Sequence, residues 1–241
     1  MNQDRQDQYK YSIEMNNLGA SRIQYGDYEN GILHLTNAFK ASKIMLAGAA
    51  HHQQPIHDDE GKLKFCMLPT PPCKLSDDIA NDHGETWGII QGAIHIHLEH
   101  ALTVRSYEAK RTVAVIILFN LILAHQLLSA VVNTHPSSSR IWTVSPSRVF
   151  LLDKAISLYQ TAIHLQQQSC GLISMSAMVN LSQIHWSQGK LECSAKYMHQ
   201  LDAMTSWRAQ AYHGTPSSLE LHIQHMIYMI RQGRYAAAAA A

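Results

Sequence analysis

The chain repeats itself. An Asn-Leu pair recurs at Asn17-Leu18, Asn120-Leu121 and Asn180-Leu181, and the residues that follow the first and third pairs run in register. Gly19 follows the first pair, then Gly26-Asp27-Tyr28, Gly31 and the series Ile32, Leu35, Ala38 and Phe39. Ser182 follows the third, then Gly189-Lys190-Leu191 and Ala195, Met198 and Leu201. The second copy opens with Phe119-Asn120-Leu121-Ile122 and closes with Ala155-Ile156, Tyr159 and Ala162, its halves parted by a Ser/Pro-rich insertion. Apolar residues three and four apart on either side of a Gly-containing break describe a helical hairpin. Such a hairpin cannot bury both faces alone, so stacked neighbours make the core and one curved surface stays open.

The same periodicity predicts two helices over 9–47, with Ile13, Leu18 and Ile23 patterning the inner face of the first. From 48 to 80 it collapses into His51-His52, Pro55, Asp58-Asp59-Glu60-Gly61 and Pro69-Thr70-Pro71-Pro72, breaker and solvated chemistry that reads as a long loop. Residues 86–98 alternate in part, Ile94, Ile96 and Leu98 against His95 and His97, which leaves a short strand and a helix both open. A long apolar helix is expected over 106–132, and further helices over 148–168, 172–187, 190–210 and 216–232. The expectation is an all-α chain forming one domain over 1–241. Repeat 1 covers about 9–47, an insertion about 48–105, and repeat 2 about 106–168 with an inserted loop at 133–147. Repeat 3 covers about 172–210 and a C-terminal helix about 216–235. The alanine run Ala236–Ala241 is set aside from functional reasoning.

Asn-Leu-Gly in the first helix, Gly-x-Tyr in the turn and small residues in the second helix resemble the tetratricopeptide repeat (TPR). Repeat 1 matches over 15–42, the other two are degenerate, and Gln232-Gly233-Arg234-Tyr235 repeats the turn of the first copy. Taken whole, the chain is similar to the TPR-like proteins abundant in some algal lineages. The resemblance implies an α-α superhelix of about three to four helical hairpins with a concave groove for a peptide or partner helix. It implies no particular ligand. The carboxylate clamp of some TPR domains needs Lys or Arg at groove positions that here hold Asn16, Ala20, Ser176 and Asn180, which disfavours capture of an acidic C-terminal tail.

Nineteen Lys and Arg stand against eighteen Asp and Glu, a formal charge of +1, so nucleic acid is not expected as a partner. Charged residues make up 15% of the chain, and a surface so thinly charged suits a protein covered by partners in a larger assembly. Cys66, Cys73, Cys170 and Cys193 fit neither a disulfide framework nor a zinc signature. The polar start shows no secretory signal, which points to an intracellular place, cytoplasmic or organellar. Residues 113–132 reach the ~20 apolar residues that span a bilayer. Asn120, His125, Gln126 and Ser129 within them count against a membrane, and a membrane-anchored subunit is kept as an alternative.

Asn17, Asn120 and Asn180 share one repeat register, which in the TPR family faces the concave side. An amide offers two donors and an acceptor, so a ladder of them suits the main chain of an extended peptide. The alternative is that each Asn bridges neighbouring helices. Gln24, Gln183 and Trp186 join them as candidate partner-binding residues, with Trp186 as an aromatic anchor. Of 16 histidines, His95, His97 and His100 form the densest group and are the metal candidates, since alternate residues of a strand share a face. A His-liganded, hydrolytic metal protein is therefore the first alternative. No GxSxG, P-loop, HExxH or GxGxxG pattern occurs, so no catalytic residue, cofactor or enzymatic activity is assigned.

Overall fold

The computed structural model describes residues 3–47, 63–68, 92–103, 106–131, 146–165 and 171–211, with helical residues also at 221, 223–225, 227–228 and 230–232. In chain order the elements are α1 (Gln3–Gln24), α2 (Tyr28–Ala47), β1 (Phe65–Leu68), β2 (Ala93–Ile96), α3 (Leu98–Thr103), α4 (Tyr107–Val131), α5 (Pro146–Leu165), α6 (Leu172–Ser187) and α7 (Leu191–Ala211). The described residues are helical apart from short connections and one two-stranded antiparallel sheet of four residues per strand, so the class is all-α. The alanine run and the turn at 232–235 lie outside the described residues, save Gln232.

Two helical hairpins are built on the same turn. At the end of α1 the Asp27 N–H donates to Arg22 O at 2.9 Å and the Gly26 N–H to Ile23 O at 3.0 Å. At the end of α6 the Lys190 N–H donates to His185 O at 2.9 Å and the Gly189 N–H to Trp186 O at 2.9 Å. This pattern needs a left-handed residue, and Gly26 (φ 78°) and Gly189 (φ 70°) supply it. The helices then cross closely at matched places. A Cβ on Gly19 would lie 2.5 Å from Leu35 Cγ and one on Gly31 3.4 Å from Gly19 O. At the corresponding crossing Ser182 and Ser194 are buried and hydrogen-bonded to each other.

α4 packs on α2 on one side and on α5 on the other, and also meets α1, β2 and α6; α6 continues the stack from α5. Every residue from Val113 to Leu127 is buried, which is why its sequence is apolar on all faces. By length and composition this helix is able to cross a membrane, and 89% of its most apolar window lies buried inside the fold.

Four expectations change. α1 begins at Gln3, six residues ahead of the expected start. The region expected as loop contains β1, and the alternating stretch yields β2 over 93–96; residues 48–62 and 69–91 lie outside the described residues. The insertion placed at 133–147 overlaps α5, which starts at Pro146, a residue suited to a first helical turn because it has no N–H to satisfy. Leu18 was expected in the core, whereas Leu121 (5%) and Leu181 (0%) are buried and Leu18 is 37% exposed. The buried face of α1 runs through Tyr9, Ile13, Asn16, Ala20 and Ile23, and that 4-3-4-3 spacing leaves Leu18 on the opposite side.

Candidate functional site

β2 is held along both edges. On one it pairs with β1, Phe65 opposite Ile96 and Cys66 opposite His95, and the His97 N–H donates to Lys64 O at 3.1 Å. In a strand the N–H and C=O of one residue point to the same edge, and alternate residues share it. The main-chain groups of Ile94 and Ile96 therefore face away from β1, where no further strand exists among the described residues. Side-chain amides take its place. Asn17 Oδ1 accepts from the Ile96 N–H at 2.9 Å and its Nδ2 donates to Ile96 O at 2.8 Å. Asn120 does the same at Ile94, accepting at 2.7 Å and donating at 2.7 Å.

The two amides come from different helices, α1 and α4, and are set two strand residues apart. They are linked by Asn16, whose Nδ2 donates to Ile94 O at 3.1 Å and to Asn17 Oδ1 at 3.3 Å. Its Oδ1 accepts from Asn120 Nδ2 at 2.9 Å. Asn16 and Asn120 are fully buried, where an unpaired amide is costly. Between these main-chain contacts the side chains of Ala93, Ile94 and Ile96 enter the core at 0–1% exposure. Asn17 and Asn120 thus hold β2 by its main chain, while the side chains of Ile94 and Ile96 pack into the core.

The sequence register thus brings Asn17 and Asn120 to one extended backbone, which belongs to this same chain. Asn180 goes elsewhere. Its Nδ2 donates to Tyr159 Oη at 2.7 Å, and that hydroxyl donates to Gln126 Oε1 at 2.9 Å, joining α6, α5 and α4. Burial raises the Tyr159 phenol far above its ordinary range, with the Asn180 bond acting in the opposite direction. Gln24, Gln183 and Trp186 are half-buried, and Trp186 contributes its carbonyl to the Gly189 turn. Asn16, Gln126 and Tyr159 carry no repeat signature pointing to a site; the Asn16-Asn17 doublet was the one signal for the first of them.

The histidines lie on the other side of the sheet. His95 is half-buried and His97 exposed on the outward face, with the exposed Cys66 across from His95. Burial, and then the neighbouring His97, push the His95 imidazole down. His100 Nδ1 accepts from the Lys64 N–H at 3.3 Å. Among the described residues no group of three or more His, Cys, Asp or Glu is placed to hold a metal ion.

His125 is 4% exposed on α4, and among the described residues its Nδ1 has no hydrogen-bond partner. Burial, and then the Lys154 ammonium, lower its pKa from 6.5 to about 4. Between those values the unfolded chain takes up a proton that the folded chain refuses. Stability is therefore expected to fall as the pH drops from 6.5 toward 4, by about 2–3 kcal/mol from this group, and no further below it. Urea midpoints measured down that range, with His125→Gln flattening the slope, check it. An unchanged slope in the variant would refute the assignment.

No protein-family model, no curated protein and no solved structure matches the chain.

Proposed function

We propose that the chain is a non-enzymatic, TPR-like helical scaffold that holds a partner polypeptide in extended form, its groove between α1 and α4 being a clamp for main chain. The observation that supports this is the paired, two-point bonding of Asn17 and Asn120 to alternate residues of β2. A carboxamide matches the N–H and C=O of one strand residue whatever its side chain, which is the chemistry of β-strand addition without a partner strand. In this chain the clamp is filled by residues 93–96, so a partner takes the groove by exchanging with β2. The partner then carries β-branched apolar residues at alternate positions, as Ile94 and Ile96 do in the cis arrangement.

The test is binding in trans. A chain carrying Ile94→Ser and Ile96→Ser, which weaken the hold on β2, is titrated with a peptide of residues 91–100 by fluorescence anisotropy. Saturable binding is expected, weakened about fivefold by adding Asn17→Ala, the loss of two hydrogen bonds at a half-buried position. N-methylation of the peptide at the positions of Ile94 and Ile96 should abolish it. A folded variant that ignores the peptide, or binds the methylated form equally, overturns the proposal. If the variant does not fold, hydrogen exchange of the Ile94 and Ile96 amides in the unmodified chain decides. Opening faster than global unfolding supports exchange, and opening only with global unfolding refutes it.

A further inference from the structure

We infer that Asn16 sets the direction in which an extended segment lies in the groove, so that a partner must run as β2 does, from the Asn120 end to the Asn17 end. Direction matters only if the groove clamps a partner's main chain, the reading on which this inference rests. A single carboxamide is indifferent to it. Turned over, the group exchanges its oxygen for its NH2 and serves a reversed strand residue as well as before. Asn17 and Asn120 alone would therefore hold a chain of either polarity.

Asn16 removes that indifference. Ile94 O accepts from two side chains, Asn120 Nδ2 at 2.7 Å and Asn16 Nδ2 at 3.1 Å. A main-chain carbonyl has two lone pairs and takes both donors, whereas an N–H has one hydrogen to give. The second hydrogen of Asn120 Nδ2 goes to Asn16 Oδ1 at 2.9 Å, and that of Asn16 Nδ2 to Asn17 Oδ1 at 3.3 Å. All four amide hydrogens of Asn16 and Asn120 thus have acceptors, on two side chains that are fully buried.

A chain laid the other way puts an N–H where Ile94 O stands, and all three amides must turn over to meet it. That N–H then faces two oxygens with one hydrogen. Asn16 Nδ2, now in the place of its oxygen, meets Asn120 Oδ1 with one hydrogen and keeps the other without an acceptor in the network. Asn120 Nδ2, turned to the carbonyl of the reversed residue, keeps one over in the same way. If Asn16 stays as it is, its Oδ1 faces Asn120 Oδ1 and two acceptors collide. Buried donors without acceptors are costly, so the reversed chain is rejected.

The test uses the chain carrying Ile94→Ser and Ile96→Ser, titrated by fluorescence anisotropy with the peptide of residues 91–100 and with its retro-inverso form. The latter, built of D-residues in reverse order, keeps the side chains in place and exchanges every N–H for a C=O. The L peptide should bind at least about tenfold tighter. β1 pairs with β2 antiparallel and favours the same direction, so the share that belongs to Asn16 is the change it makes in that ratio. Asn16→Ala should narrow the ratio at least about fivefold by weakening the L peptide alone; a merely structural loss weakens both forms alike. Asn16→Ser, whose hydroxyl serves as donor or acceptor, should narrow it too, and replaces the alanine variant if circular dichroism shows that one unfolded. Equal binding of the two forms, or a ratio unchanged in a folded Asn16 variant, overturns the inference and leaves the clamp standing. Binding of neither form overturns the clamp and the inference with it.

Discussion

Asn120→Ala is expected to destabilise the protein by about 3 kcal/mol, a large part of the 5–15 kcal/mol that holds a typical domain together. The substitution strips the Ile94 N–H of its acceptor, the Ile94 carbonyl of one donor and Asn16 Oδ1 of its donor, all at a site closed to water. Asn17→Ala, at a half-buried position where water reaches the strand edge, should cost about 1 kcal/mol. Asn120→Asp should be no milder than alanine, since its carboxylate would face the Ile94 carbonyl and Asn16 Oδ1 without a donor. Urea unfolding of the three variants gives the order, and hydrogen exchange at Ile94 localises the loss. Equal costs at Asn17 and Asn120 would show that burial of the clamp does not set its energy. Loss of a bound partner in an Asn120→Ala chain therefore reports on recognition only when folding is shown to survive.

Gly19→Ala should cost about 2 kcal/mol even though alanine is the better helix former by about 1 kcal/mol. The added methyl would stand 2.5 Å from Leu35 Cγ, 2.9 Å from Leu35 Cδ2 and 3.2 Å from Gly31 O. Leu35 is fully buried, and Cγ is the branch point of its side chain, so relief requires α2 to move off α1. Leu35→Ala removes Cγ and supplies room without moving the helix. The double variant should therefore lose less than the two single losses combined, a coupling of about 1 kcal/mol or more. Thermal midpoints of the four proteins measure it. Strict additivity would mean that the hairpin absorbs the methyl elsewhere.

The helical hairpins were legible because their causes are local. Gly26 and Gly189 mark turns that need a left-handed residue, and the three-four spacing of Ile32, Leu35 and Ala38 marks a face. The apolar run of α4 was ambiguous by composition alone, since a bilayer and a ring of packed helices ask for the same residues. Its place between α2 and α5 shows what surrounds it. Leu18 was misread because a shared repeat register was taken as burial, whereas the spacing of Tyr9, Ile13, Asn16, Ala20 and Ile23 puts it on the opposite side of α1.

The asparagines divide the same way. That three amides share a register is a property of the sequence. What each amide meets is a property of the packed chain. Asn17 and Asn120 lie about a hundred residues apart and converge on two residues of β2 only after α4 docks on α1. Asn180 turns to Tyr159 instead. The sequence by itself determined the helices, their turns and the amide register, since backbone preference and periodicity act over a few residues. Tertiary structure alone decided that an extended segment of the chain fills its own groove. A buried main-chain donor must find a partner wherever the fold presents one, and no local pattern records where that is.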